Sequence, residues 1–278
     1  LLGADCRAHA GLCRGRGRSL MQRRPGFPAK LPGSATTPAG APSQRSAALG
    51  ARPIAATAVG VGLDSAAVRT RMVQKLAAGG VTSPQVLQAM GQVERHRFVD
   101  SALGNQAYED TSLPIGMGQT ISKPSIVARM CELLLGAEVA RTAGLGRVLE
   151  IGTGCGYQAA VLSLLAREVY TLERVRSLHE KARDNLRPFR LANVHLMFGD
   201  GMLGYPSGAP YSAIIAAAGG DSVPQAWCDQ LAVGGRLVAP MAVAGGQQML
   251  LVIDKSAHGL KQNVLEPVHF VPLKSGIA

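Results

Sequence analysis

Aromatic residues are scarce in this chain: 4% of 278 residues, with one Trp, five Tyr and five Phe. So few rings leave no basic–aromatic interleaving of the kind that stacks single-stranded bases. Acids are nearly missing from the first 63 residues, where Asp5 stands alone against nine Lys and Arg. Most of the net charge of +11 therefore sits in that segment. From residue 64 onward, 20 basic residues face 17 acidic ones, a near balance that argues against specific nucleic-acid binding by the rest of the chain. No apolar run reaches the roughly 20 residues of a membrane-spanning helix, so no membrane partner is expected. The five cysteines, at 6, 13, 131, 155 and 228, are odd in number and scattered. They form no disulfide framework and no metal-binding spacing, which fits a reducing, cytoplasmic setting and no bound metal.

What is present divides in two. Residues 1–62 are rich in Arg, Gly, Pro, Ala and Ser, as in "RGRGR" and "PGSATTPAGAPSQR". Such a stretch buries too little apolar surface to offset its ordering entropy, so it is expected to be a disordered tail. An Arg-rich, acid-poor transit peptide and a non-specific hold on nucleic acid are both compatible with it. A plain extension is the simplest expectation. Residues 63–278 form the expected folded domain, with N-terminal helices and a substrate loop over 63–135 and a sheet over 146–278.

"DSAAVRTRMVQKLAAGGV" reads as a helix with an Asp cap and a Gly-Gly stop. In "SPQVLQAMGQV", Ser83 is the expected N-cap and Pro84 the first helical residue. "LPIGMGQTISKPS" reads as an irregular loop. After it, Ile126, Val127, Met130, Leu133 and Leu134 share one helical face. Strict alternation follows: strand "RVLEI" and helix 157–166, strand "EVYTLE" and helix 175–187, strand "VHLMF", strand "SAIIAA" and helix "VPQAWCDQL". "GRLVAPM", "QQMLLVI" and "VLEPVHFVPL" close the chain as strands. Alternating strands and helices predict an α/β fold with a mostly parallel sheet, right-handed crossovers and helices on both faces. The last strands lack an intervening helix, so antiparallel pairing is expected at the C-terminal end.

Three strand ends carry unusual residues. "VLEIGTGCGYQAA" joins Glu150 to Gly152, Gly154 and Gly156, a strand running into a turn whose glycines accept φ > 0. Their spacing departs from the G-x-G-x-x-G of dinucleotide folds. Glu173 closes "VYTLE" about 20 residues past the glycines, where an acid can accept from ribose hydroxyls. "GDG" places Asp200 between Gly199 and Gly201, with room for a flat ring and an acceptor for its amine. In a parallel sheet these ends share one edge, where ligands bind. A ligand with ribose and an amine-bearing base fits both NAD and S-adenosylmethionine. The glycine spacing, and Glu150 as complement to an ammonium and a sulfonium, favour the second.

These residues carry a resemblance. "LPIGMGQTISKPSIVARM" (113–130), "VLEIGTGCGYQAAVL" (148–162), "VYTLERV", "GDG" and "LEPVHFVPL" resemble the bacterial type of protein-L-isoaspartate O-methyltransferase, from about Val68 to the end of the chain. "PIGxGQTIS" is the most specific of these stretches. The resemblance implies a Rossmann-like S-adenosylmethionine-dependent methyltransferase fold. It also implies methyl transfer to the α-carboxylate of L-isoaspartyl residues in damaged proteins and peptides, which starts their repair through a succinimide and leaves S-adenosyl-L-homocysteine. Ser122 is implied at the catalytic site, with Gln119, Thr120 and Ile121 around it. Gln119, Thr120, Ile121 and Ser122, with Glu150, Gly152, Gly154, Gly156, Glu173, Asp200 and Gly201, are the expected cofactor-binding set, and a monomer is the expected state. A methyltransferase of this fold with another acceptor is the alternative. Two departures from the family pattern stand in "YSAIIAAAGG": Ser212 where Asp is usual, and Ala-Ala-Gly where Thr-Ala-Ala is favoured. Cys155 reads as a small tolerated residue, and the six histidines as structural or surface residues.

Overall fold

A computed structural model describes residues 66–243 and 245–278; the expected tail and the Asp64 cap lie outside the described residues. Helix α1 (Ala66–Ala78) buries Met72 and Leu76 and stops at Gly79–Gly80, where Gly80 takes φ 100°. Helix α2 (Pro84–Gln92) starts as expected: the Ser83 side chain accepts from the Val86 N–H, and Pro84 opens the helix. The expected loop at 113–125 is instead a short antiparallel hairpin, β1 (Leu113–Gly116) and β2 (Gln119–Ile121). Leu113, Ile115 and Ile121 are buried, a period of two that the many polar residues around them obscured. Gly116, Met117 and Gly118 all have positive φ at its tip.

Helix α3 (Pro124–Leu135) buries Val127, Met130 and Leu134, but also Ala128 and Cys131, while Ile126 and Leu133 are only partly covered. The buried stripe is thus turned slightly from the expected one. Helix α4 (Glu138–Ala143) precedes β3 (Leu145–Ile151), and α5 (Tyr157–Ser163) follows the glycine turn. Helix α5 is shorter than expected because Ala166 already pairs with Leu145 at the start of β4 (Ala166–Glu173). The chain continues through α6 (Arg176–Leu186), β5 (Val194–Phe198), β6 (Tyr211–Ala216), α7 (Gln225–Gln230), β7 (Leu231–Ala242), β8 (Gln248–Ser256) and β9 (Gly259–Val268).

The seven-stranded sheet runs β5-β4-β3-β6-β7-β8-β9. The five strands from β5 to β7 are parallel, and the pairs β7–β8 and β8–β9 are antiparallel, as a helix-free connection requires. Strand alternation sends Val148, Val169, Ala213, Ile215 and Val238 to one face, under α1, α2, α3, α5 and α6. Leu149, Ile151, Leu172, Ile214 and Leu237 go to the other, which α7 covers through Trp227 and Cys228, together with the loop residues Tyr205, Val223 and Leu273. Helices lie on both faces, unevenly. From β3 the chain moves outward to β4 and β5, then returns to β6 on the other side. That reversal opens a crevice at the carboxyl end of β3.

Candidate active site

The glycine turn sits at that crevice. The N–H groups of Gly152 and Thr153 both donate to the Leu172 carbonyl, at 2.9 and 3.1 Å, tying the turn to β4. Gly152 and Gly154 have φ 89° and 58°, so L side chains there would be strained. A Cβ on Gly154 would also stand 3.2 Å from Ile115 of the hairpin, so the bare glycine lets the two loops approach. Buried Glu173 at the end of β4 holds the turn from the other side. Its two oxygens accept from the N–H groups of Gly154 and Val175, each at 2.9 Å.

Between hairpin and turn lies a cavity of about 290 Å³. The hairpin contributes Gln119, Thr120, Ile121 and Ser122; the sheet edge contributes Gly152, Gly154, Glu173 and Gly201. The Ser122 hydroxyl makes no hydrogen bond among the described residues. Helix α3, which begins just after it, has Lys123 as N-cap with no side-chain cap. The first N–H groups of a helix lack intrahelical acceptors, and here Asp110 accepts from the Ser125 N–H and hydroxyl, both at 2.8 Å. Ser122 is therefore not the cap of this helix.

Three expected cofactor residues do not line this cavity. Gly156 points away: a Cβ there would meet Leu186 of α6 at 3.0 Å, so its glycine serves helix packing. Asp200 is taken up by backbone, accepting from the Met202 N–H of its own loop at 2.8 Å and from the distant Gly276 N–H at 2.6 Å. Glu150 lies one layer behind. It is fully buried and accepts from the Thr171 hydroxyl at 2.6 Å, and Thr171 is 2.6 Å from the hydroxyl of cavity-lining Thr153. Burial pushes the Glu150 carboxyl up to about 8, so it is mostly neutral at pH 7 and is not the ready anion that the sequence implied.

That shift has a measurable consequence. The folded protein holds a proton on Glu150 up to about pH 8, whereas the unfolded chain releases it near 4.5. The folded state thus binds more protons in that window, so stability falls as pH rises from about 5 to 8. A Glu150→Gln variant has nothing to ionise there. Across pH 5–8, the wild-type melting temperature should drop relative to the variant's by at least about 4 °C. Parallel melting curves would exclude a buried neutral carboxyl.

Direct residue-by-residue reading missed part of the wall. Gln158 lines the cavity as well; it is buried, and its side-chain amide is a hydrogen-bond partner of the Glu150 carboxyl behind it. Val271 and Leu273 close another side, pinned to Gly219 by backbone hydrogen bonds of 2.8 and 2.7 Å. The sequence placed them in a closing strand, but β9 ends at Val268 and they lie beyond it. Arg174 also lines the cavity and donates from Nε to the Gly276 carbonyl at 2.8 Å. Of the two departures, Ser212 donates to the Arg147 carbonyl near the start of β3, on the opposite edge of the sheet. Ala217 and Ala218 do line the cavity, as small apolar wall. Burial pushes the Cys155 thiol up to about 11, which leaves it protonated and inert.

The donor set suits S-adenosylmethionine. Two glycines expose backbone, Glu173 is a buried acceptor, and Leu172 and Leu178 supply apolar wall. No group of three or more His, Cys, Asp or Glu among the described residues is placed to hold a metal ion. No helix among them is long and apolar enough to cross a membrane.

Fold and site together define a Rossmann-like S-adenosylmethionine-dependent methyltransferase. The protein-L-isoaspartate O-methyltransferase of Methylibium petroleiphilum is 59% identical over 222 residues, which cover 79% of this chain and 82% of that relative. A solved protein-L-isoaspartate O-methyltransferase superposes with a TM-score of 0.67 at 30% identity, over 75% of this chain and 67% of that one. A solved Plasmodium falciparum chain, a candidate protein-L-isoaspartate O-methyltransferase in complex with S-adenosyl-L-homocysteine, shares the fold. Its TM-score is 0.64 at 24% identity, over 74% of this chain and 98% of that one. The family model for protein-L-isoaspartate(D-aspartate) O-methyltransferase matches residues 67–278, and the chain belongs to that family.

Proposed function

We propose that this enzyme methylates the α-carboxylate of L-isoaspartyl residues in damaged proteins and peptides, with Ser122 orienting the acceptor. One observation supports this reading most: the unengaged Ser122 hydroxyl shares a cavity with Gly152, Gly154 and Glu173. S-adenosylmethionine supplies an electrophilic methyl group, and S-adenosyl-L-homocysteine is the product. Gly152 and Gly154 present backbone to it, and Glu173 accepts from it while shaping the turn. The acceptor needs no strong base, because a carboxylate is already ionised at neutral pH. The protein's work is alignment of acceptor oxygen and methyl carbon, a contribution that reaches about 7–11 kcal/mol in favourable cases. The neighbouring backbone nitrogen then attacks the ester carbonyl and expels methanol, and water opens the resulting succinimide in part to a normal aspartyl linkage.

The enzyme acts as a cytoplasmic monomer without a specific nucleic-acid partner, and residues 63–278 carry the activity. Deleting residues 1–62 should leave methylation of a short isoaspartyl peptide within about twofold of the full chain. A large loss in a truncated protein that still binds S-adenosyl-L-homocysteine would place the first 62 residues in the site. The acceptor is tested with labelled S-adenosylmethionine and two peptides differing only in isoaspartyl or aspartyl linkage. Transfer to the isoaspartyl peptide alone is expected; equal transfer to both, or to neither, would return the acceptor to the open alternative.

A further inference from the structure

Arg95 lies in the turn after α2 and is fully buried, the only Arg or Lys among the described residues to be so. Its Nε donates to the Ala107 carbonyl at 2.7 Å, and its Nη2 donates to the Ser122 carbonyl at 2.8 Å and to the Thr111 carbonyl at 3.4 Å. The guanidinium carbon stands 4.8 Å from the ring centre of Tyr157, the first residue of α5 and itself part of the cavity wall. Tyr157 is also a side-chain partner of the guanidinium, but no carboxylate within 4 Å pairs with it among the described residues. Asp110, a nearby acid, uses its two oxygens on Ser125.

A buried cation without an anion is costly, and folds keep one where something compensates for it. Three carbonyls and an aromatic face offset part of that cost here. The loop that Arg95 grips is the one expected to receive an anion, the acceptor carboxylate at Ser122. We propose that Arg95 is a positioning residue for the acceptor: it fixes the Ser122 backbone through Nη2, and its unpaired charge draws the α-carboxylate to the Ser122 hydroxyl. This rests on the isoaspartyl reading above. In a partly desolvated site, charge attraction of this kind corresponds to about a tenfold gain in affinity.

The test compares an isoaspartyl peptide with the same peptide carrying an α-carboxamide, both binding to enzyme saturated with S-adenosyl-L-homocysteine. Wild type should prefer the carboxylate at least tenfold. Arg95→Gln should bind S-adenosyl-L-homocysteine within threefold of wild type yet lose most of that preference, with a raised peptide KM. Arg95→Lys keeps the charge but loses the fork, so it should regain much of the preference while kcat stays low. General loosening of the fold would weaken both peptides and the cofactor product together, which separates it from the charge effect. A folded Arg95→Gln that retains the full preference would overturn the proposal. If only Arg95→Lys folds, unchanged peptide KM and kcat in it would do the same, and failure of both variants to bind the cofactor product would mark Arg95 as structural. Absence of isoaspartyl methylation by the wild type would instead sink the functional reading.

Discussion

Ser122→Ala should lower kcat/KM for an isoaspartyl peptide by about 10- to 100-fold, the equivalent of one hydrogen bond to a charged group at about 1.5–3 kcal/mol. Its affinity for S-adenosyl-L-homocysteine and its melting temperature should stay close to wild type. The separation follows from what the side chain does not do. Its hydroxyl holds no partner among the described residues, and Asp110 rather than Ser122 serves the start of α3 through Ser125. The Ser122 carbonyl, which Arg95 grips, survives the substitution. Removing the hydroxyl thus costs the acceptor a contact and costs the fold almost nothing. Rates with both peptides, calorimetry with the cofactor product and a thermal melt decide it. An unchanged rate with an earlier melt would return Ser122 to a structural role.

Glu173→Ala should weaken S-adenosyl-L-homocysteine binding by more than tenfold and lower the melting temperature as well. The carboxylate lines the cavity, and its oxygens also accept from the N–H groups of Gly154 and Val175. Alanine leaves those donors unpaired at a cost of about 1–3 kcal/mol each if water does not replace the oxygens, and frees the turn that presents Gly152 and Gly154. Glu173→Gln keeps an acceptor oxygen for one of the two donors and should fall between alanine and wild type. Calorimetric affinity equal to wild type in folded Glu173→Ala would remove this residue from the site.

Much of the fold was legible because its signals are local. Ser83 and Pro84 mark a helix start by their own chemistry, and the glycines after β3 announce a turn by their conformational freedom. The β1–β2 hairpin was hidden because its apolar residues are few and its tip is Gly-Met-Gly, so composition spoke for a loop while a period of two was present in Leu113, Ile115 and Ile121. The strand-end acids show the limit more sharply. All three occupy the edge expected of them, yet Glu173 alone lines the cavity.

The sequence by itself determined the alternation of strands and helices, the glycine turn at one sheet edge, the charge imbalance of the first 63 residues and the motifs of the family. Tertiary structure decided which side chains meet. Glu150 is drawn to Thr171 across the β3–β4 pair, Asp200 is taken by the backbone of Gly276, and Arg95 reaches Ser122 from 27 residues away. A strand's period of two states which residues share a face, and a turn's glycines state where the chain can bend. Whether a carboxylate or guanidinium there faces a ligand depends on hydrogen-bond partners from distant segments. Those partners are chosen only when burial forces every polar group to find one.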